Sequence, residues 1–129
     1  MKKFYRLNAF LAVLLLLVLA SCAGIQNPAE MSPKQKLTMA YGTYNSQYTM
    51  YMTDTGYVLN VDGKWEKVND PVLSEDKKVI LREKKKILTA LHPLIKVYDS
   101  MVAGITPMSV QTEAEMFALI DQLALLVPD

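Results

Sequence analysis

The chain has one cysteine, one histidine and one tryptophan in 129 residues, and these scarcities remove whole classes of chemistry. A single Cys cannot close an intramolecular disulfide, and one Cys with one His cannot complete a zinc cage. Glycine is sparse, at five, and none of the five forms a phosphate-cradling loop. Neither charge sign is in excess, because 14 Lys+Arg face 13 Asp+Glu. The overall balance therefore gives no reason to expect a nucleic-acid partner. Repeats and low-complexity tracts are missing, and the length suits one small domain rather than two.

What is present begins with an uninterrupted apolar run from Ala9 to Ala20, behind a basic start carrying Lys2, Lys3 and Arg6. As a helix this run is about 18 Å long, too short for roughly 30 Å of bilayer hydrocarbon, and it has the shape of a secretory signal. It leads into Leu19-Ala20-Ser21-Cys22: a branched apolar residue, two small ones, then Cys. This segment resembles the lipobox of bacterial lipoproteins, and the resemblance covers residues 1–22. It implies export, a diacylglycerol on the Cys22 sulfur, cleavage before Cys22 and acylation of the new amino group. The rival reading is an uncleaved anchor with an incidental Cys. Two or three acyl chains hold a protein to a membrane where one would not. A lipidated Cys22 is a thioether and no nucleophile. The next residue is Ala23 rather than Asp, which resembles the pattern sent to the outer membrane, facing the periplasm, in a double-membraned bacterium. In a single-membraned cell the protein would stay on the outer face of the plasma membrane. Loss of the first 21 residues leaves 108, with 11 Lys+Arg against 13 Asp+Glu.

The expected division is a signal peptide over 1–21, a lipidated Cys and tether over 22–33, and a helical domain over 34–129. Asn27-Pro28 and Ser32-Pro33 mark the tether, and Ser32-Pro33 is also a good helix start. Leu37, Tyr41, Tyr44, Tyr48 and Tyr51 step by 4, 3, 4 and 3, which predicts one helical face turned to the core. That helix should run to about Asp54 and stop at Gly56. Two short strand-like runs, 57–61 and 64–68, flank Asp62-Gly63 and predict a tight type I′ hairpin leaning on the helices through Trp65 or Tyr57. A long ordered loop is the alternative. A calcium loop is excluded by register, since Gly63 at position 6 puts Val58 and Asn69 where carboxylates belong. Ser74 opens a second, longer helix with Glu75 and Asp76 in its first turn. Its apolar face is Ile80, Ile87, Leu91, Leu94, Tyr98 and Met101, widened by Ile95 and Val102, with a kink expected at Pro93 and an end at Gly104. Thr112 and Glu115 form a capping box for a third helix carrying Met116, Ile120, Leu123 and Val127, stopped by Pro128. The fold class is all-α: a small three-helix bundle with a short hairpin or ordered loop between the first two helices.

No constellation for catalysis emerges. Ser74 and Lys77 have the Ser-x-x-Lys spacing of penicillin-binding enzymes, but a helix cap explains them and the companion motifs are absent. His92 falls about 120° from the core face and reads as a surface or kink-adjacent residue. The protein is expected to be no enzyme, and no metal or cofactor is called for. Two surfaces are candidates instead. Lys78, Arg82, Lys85 and Lys96 lie opposite the apolar face of the second helix, with Lys84 at its border. They read as a solvated face or as a contact for anionic headgroups. The first helix carries no charge from Leu37 to Thr53. Its face bearing Met39, Thr43, Ser46 and Met50 suits a protein partner or self-association, unless the third helix and hairpin cover it. These features predict a lipid-anchored, non-catalytic envelope protein that engages another protein. The alternative is a small carrier of an apolar or lipid ligand, for which so short a domain leaves little room.

Overall fold

The structure, a computed structural model, describes residues 30–126. The expected signal peptide, Cys22 and most of the tether lie outside the described residues, as do Val127 and Pro128. The order is helix, hairpin, helix, helix, a small and mostly α-helical fold. Helix α1 runs Pro33–Asp54, strands β1 and β2 are Tyr57–Leu59 and Trp65–Lys67, and helices α2 and α3 are Glu75–Val102 and Val110–Leu125.

Each boundary has a local cause. Pro33 opens α1, where its fixed φ fits a first turn and its missing N–H is no loss. Beyond Asp54 the chain turns at Gly56, whose φ of 94° belongs to the left-handed region. A side chain there would also collide with the Asn69 carbonyl, because the Gly56 carbonyl accepts from Val68 N at 2.8 Å and closes the hairpin base. Ser74 caps α2 by accepting from the Lys77 amide at 3.2 Å, so the Ser-x-x-Lys spacing is a cap. Pro93 sits inside α2, and the helix continues unbroken through it.

Two expected turns differ. The hairpin is real, pairing Tyr57 with Lys67, Val58 with Glu66 and Leu59 with Trp65 in antiparallel register. It is not closed by a type I′ turn, since that turn needs positive φ at both central residues and Asp62 has none. Instead Gly63 N donates to Asn60 O at 3.0 Å, Gly63 alone is left-handed, and Asn60 N donates to Lys64 O at 2.8 Å. That is a type I turn followed by a glycine bulge. The Asn60 side chain selects it by accepting from Asp62 N at 3.0 Å and Lys64 N at 2.9 Å. Similarly, α3 begins one turn of sequence early. Ser109 is its cap, accepting from Thr112 N at 3.3 Å, while Glu115 accepts from the Gln111 side chain rather than closing a box with Thr112. Ser109 wins because capping there adds three further residues to the helix.

Helices α1 and α2 are antiparallel, because Tyr41 meets Asp99, Tyr44 meets His92, and the end of α1 reaches the first half of α2. The Lys36–Glu113 ion pair joins the N-terminal ends of α1 and α3. The core is built chiefly by α2 and α3: Leu91, Ile95, Tyr98, Met116 and Leu123 are at most 1% exposed. Each such side chain contributes about 1.5–3 kcal/mol by burial. From α1 only Ala40 is fully buried. Tyr41, Tyr44, Tyr48 and Tyr51 are half-buried at the core's edge rather than inside it. The expected apolar face of α2 is also rotated. Ile80 and Leu94 are half-buried, whereas Leu81, Lys84 and Leu88 are inside. Among the described residues no helix is long and apolar enough to cross a membrane.

Candidate functional site

The tyrosines fail to be core because nothing closes over them. Helix α3 packs mainly along α2, so the side of α1 that faces the hairpin is left with an open groove of about 640 Å³. Two helices and the hairpin line it. Tyr44, Tyr48 and Tyr51 come from successive turns of α1, Tyr57 comes from β1, and Leu88 of α2 supplies an apolar patch. The 4- and 3-residue steps that suggested a core stripe are the reason these rings form one wall.

The rings are ordered against one another. Tyr44 and Tyr48 are stacked, with centroids 5.8 Å apart and planes 11° off parallel. The His92 imidazole lies 5.0 Å from the Tyr44 ring, tilted 33°. Trp65 meets Tyr48 edge-on at 6.2 Å and 82°, which is how the hairpin leans on α1. Such offset and edge contacts are worth about 0.5–1.5 kcal/mol each beyond area burial. Burial, and secondarily the neighbouring Tyr48, raises the Tyr44 pKa above the usual phenol value. Tyr44 therefore remains a hydroxyl donor at neutral pH.

The groove is polar on one flank. Lys85, Thr89 and His92, spaced 4 and 3 apart on α2, line it together. Among the described residues no Asp or Glu lines it. Lys67 stands at the hairpin end, 5.8 Å over the Tyr57 ring, and its pKa is raised by its hydrogen bond to Asp70. Among the described residues Lys85 has no carboxylate partner. Pro93 cannot donate to the Thr89 carbonyl four residues earlier, so the proline removes a helical bond at this wall.

The expected site residues fall as follows. Ser46 and Met50 are exposed, Thr43 is half-buried, and Met39 packs against the core cluster instead of facing out. The outward face of α1 is centred on Gly42, Asn45, Ser46 and Thr49, shifted round the helix from the expected face. Lys78, Arg82 and Lys96 are exposed, and Lys78 is paired with Glu75 at 2.7 Å. Lys85 is exposed as well, yet it belongs to the groove rather than to a face remote from α1. Lys84 is not at a border but inside, 1% exposed. His92 is a surface residue with a specific neighbour. The stripe Lys85-Thr89-His92 was readable as one helical flank, but its partner wall was not, because that depends on which side α3 leaves open. Among the described residues no group of His, Cys, Asp and Glu is arranged to hold a metal ion. The chain matches no protein-family profile, no curated protein and no solved structure.

Proposed function

We propose that this is a lipid-anchored, non-catalytic envelope protein whose helical domain engages a protein partner or a second copy through α1. The observation that carries the reading is the mismatch between the burial and the composition of that helix. Only Ala40 of its 22 residues is fully buried, yet Leu37 to Thr53 contains no charge. A helix with so much surface in water normally carries charges on it. An uncharged face of Gly42, Ser46, Thr49 and Met50 is the composition that a packed partner helix accepts. The anchor rests on the lipobox resemblance at Cys22. With Ala23 next, the outer membrane facing the periplasm is the proposed destination in a double-membraned cell.

The test is photocrosslinking in intact cells from probes at Thr43 and Ser46, with Lys85 for comparison. A discrete protein adduct from the α1 sites alone is the expected result. Adducts confined to Lys85 and to lipid would instead support the membrane-contact reading of Lys78, Arg82, Lys85 and Lys96. In parallel, incorporation of an alkyne-labelled fatty acid should be abolished by Cys22→Ala. A second reading, a small-ligand carrier, is favoured by the groove, whose volume lies within the range of about 300–1,000 Å³ typical of ligand pockets.

A further inference from the structure

We infer that the groove between α1, α2 and the hairpin binds a ring-bearing carboxylate: a flat apolar ring against the tyrosines with its anion on Lys85. This rests on the carrier reading and changes the ligand that reading would otherwise take. An acyl chain needs an enclosed apolar tunnel. Here the volume is an open cleft lined by four tyrosines, a histidine and two lysines. Three flat groups, His92, Tyr44 and Tyr48, follow one another with 5.0 and 5.8 Å between neighbouring centroids, so one wall is a row of aromatic rings. A planar guest meets such a row by edge or offset ring contact at little conformational cost, whereas a flexible chain must be ordered to do so.

The charge is equally one-sided. Among the described residues Lys85 and Lys67 line the groove and no carboxylate does. Lys67 is already satisfied by Asp70 at 2.6 Å, while Lys85 has no carboxylate partner among the described residues. An entering anion therefore meets one cation without having to displace an existing ion pair. Arg82 lies one turn earlier on the same flank and adds to the potential at the mouth. The Thr89 hydroxyl is committed to the Lys85 carbonyl at 2.7 Å, so it holds the wall and leaves the ammonium as the anion's contact.

Trp65 is the only tryptophan of the chain and touches Tyr48 at the groove wall, so its emission reports occupancy. The experiment uses the full chain in phosphatidylcholine vesicles, with blank vesicles correcting for partitioning. Three matched probes are titrated: 4-phenylbutyrate, 4-phenylbutylamine and octanoate. The expected result is saturable quenching or a shift with 4-phenylbutyrate, weaker binding of the other two, and an affinity for 4-phenylbutyrate about tenfold lower in Lys85→Gln. Lys34→Gln, at the N-terminal end of α1 and outside the groove lining, should leave all three titrations unchanged. Equal binding of the amine would overturn the charge assignment. Preference for octanoate would overturn the ring assignment and leave an acyl-chain carrier standing. Saturation by none of the three would remove both the inference and the carrier reading.

Discussion

Tyr41 on α1 donates its hydroxyl to Oδ2 of Asp99 on α2 at 2.9 Å, a side-chain hydrogen bond that ties the least buried helix to the most buried one. Tyr41→Phe keeps the ring against the core and removes only this bond. The expected cost is about 1 kcal/mol, reduced from the charged-acceptor range because the pair is only part-buried. Thermal melts should show a fall of a few degrees. The double variant with Asp99→Asn should lose no more than the larger single loss, since both changes act on one contact.

Alkaline pH should loosen the fold through its phenols. Tyr41 is raised above 10.0 chiefly by the Asp99 hydrogen bond, and Tyr44 and Tyr98 are raised chiefly by burial. A folded-state pKa above the unfolded one favours the protonated form in the native state. The stabilisation is therefore complete below about pH 10 and is lost as pH climbs through the raised values. Melting temperature should be flat in this respect up to about pH 10 and fall above it, with ultraviolet absorbance reporting tyrosinate. Midpoints for Tyr41, Tyr44 and Tyr98 at the free-tyrosine value would contradict the shifts.

Tyr98 is fully buried, and its hydroxyl is the one buried side-chain polar atom without a hydrogen-bond partner among the described residues. An unpaired buried hydroxyl costs about 1–3 kcal/mol of desolvation. Tyr98→Phe should therefore raise stability, by about 1 kcal/mol, in chemical denaturation. Leu91→Ala, two turns earlier on the same face of α2 and 0% exposed, should lower it by about 2–5 kcal/mol through the cavity it leaves.

Lys84 presents the opposite case, a charged residue 1% exposed with no ion pair among the described residues. Its methylene stem supplies the packing while the ammonium contributes little. Lys84→Met should be neutral or stabilising, and Lys84→Glu should destabilise by roughly 2 kcal/mol or more, because the stem is shortened and an anion is placed in the same site. Denaturation midpoints of the two variants check both directions.

Where local chemistry decides, the sequence is readable. Ser74 as a cap, Gly56 as a stop, the presence of a hairpin over 57–67 and the buried faces of Met116, Ile120 and Leu123 all follow from spacing and residue type, whereas the bulged turn sets the hairpin register one residue away from that of a two-residue turn. Where two local solutions compete, spacing alone does not choose. Ser109 and Thr112 are both sound caps, and Asp62-Gly63 serves a type I′ turn or a bulged type I turn until the Asn60 side chain is counted. The groove was least legible. A tyrosine at every turn of α1 has the same period whether it faces a core or a cleft. The difference lies in α3, which spends its apolar face on α2. Lys84 was misplaced for a related reason: a lysine stem packs as a hydrophobe, but periodicity treats the residue as a charge.

The single buried position of α1 also bears on how the domain opens. Leu91, Ile95, Met116 and Leu123 of the core come from α2 and α3, while α1 adds one fully buried residue, Ala40, and half-buried side chains packed against them, so lifting α1 away is expected to need less free energy than global unfolding. Native-state hydrogen exchange should resolve two tiers, with α1 amides exchanging through a sub-global opening and those of mid-α2 and α3 through complete unfolding. In that opened form the half of α2 that Ala40 and the tyrosines cover is bare. A helix from a second chain could take the vacated berth by exchange rather than by adding to the surface.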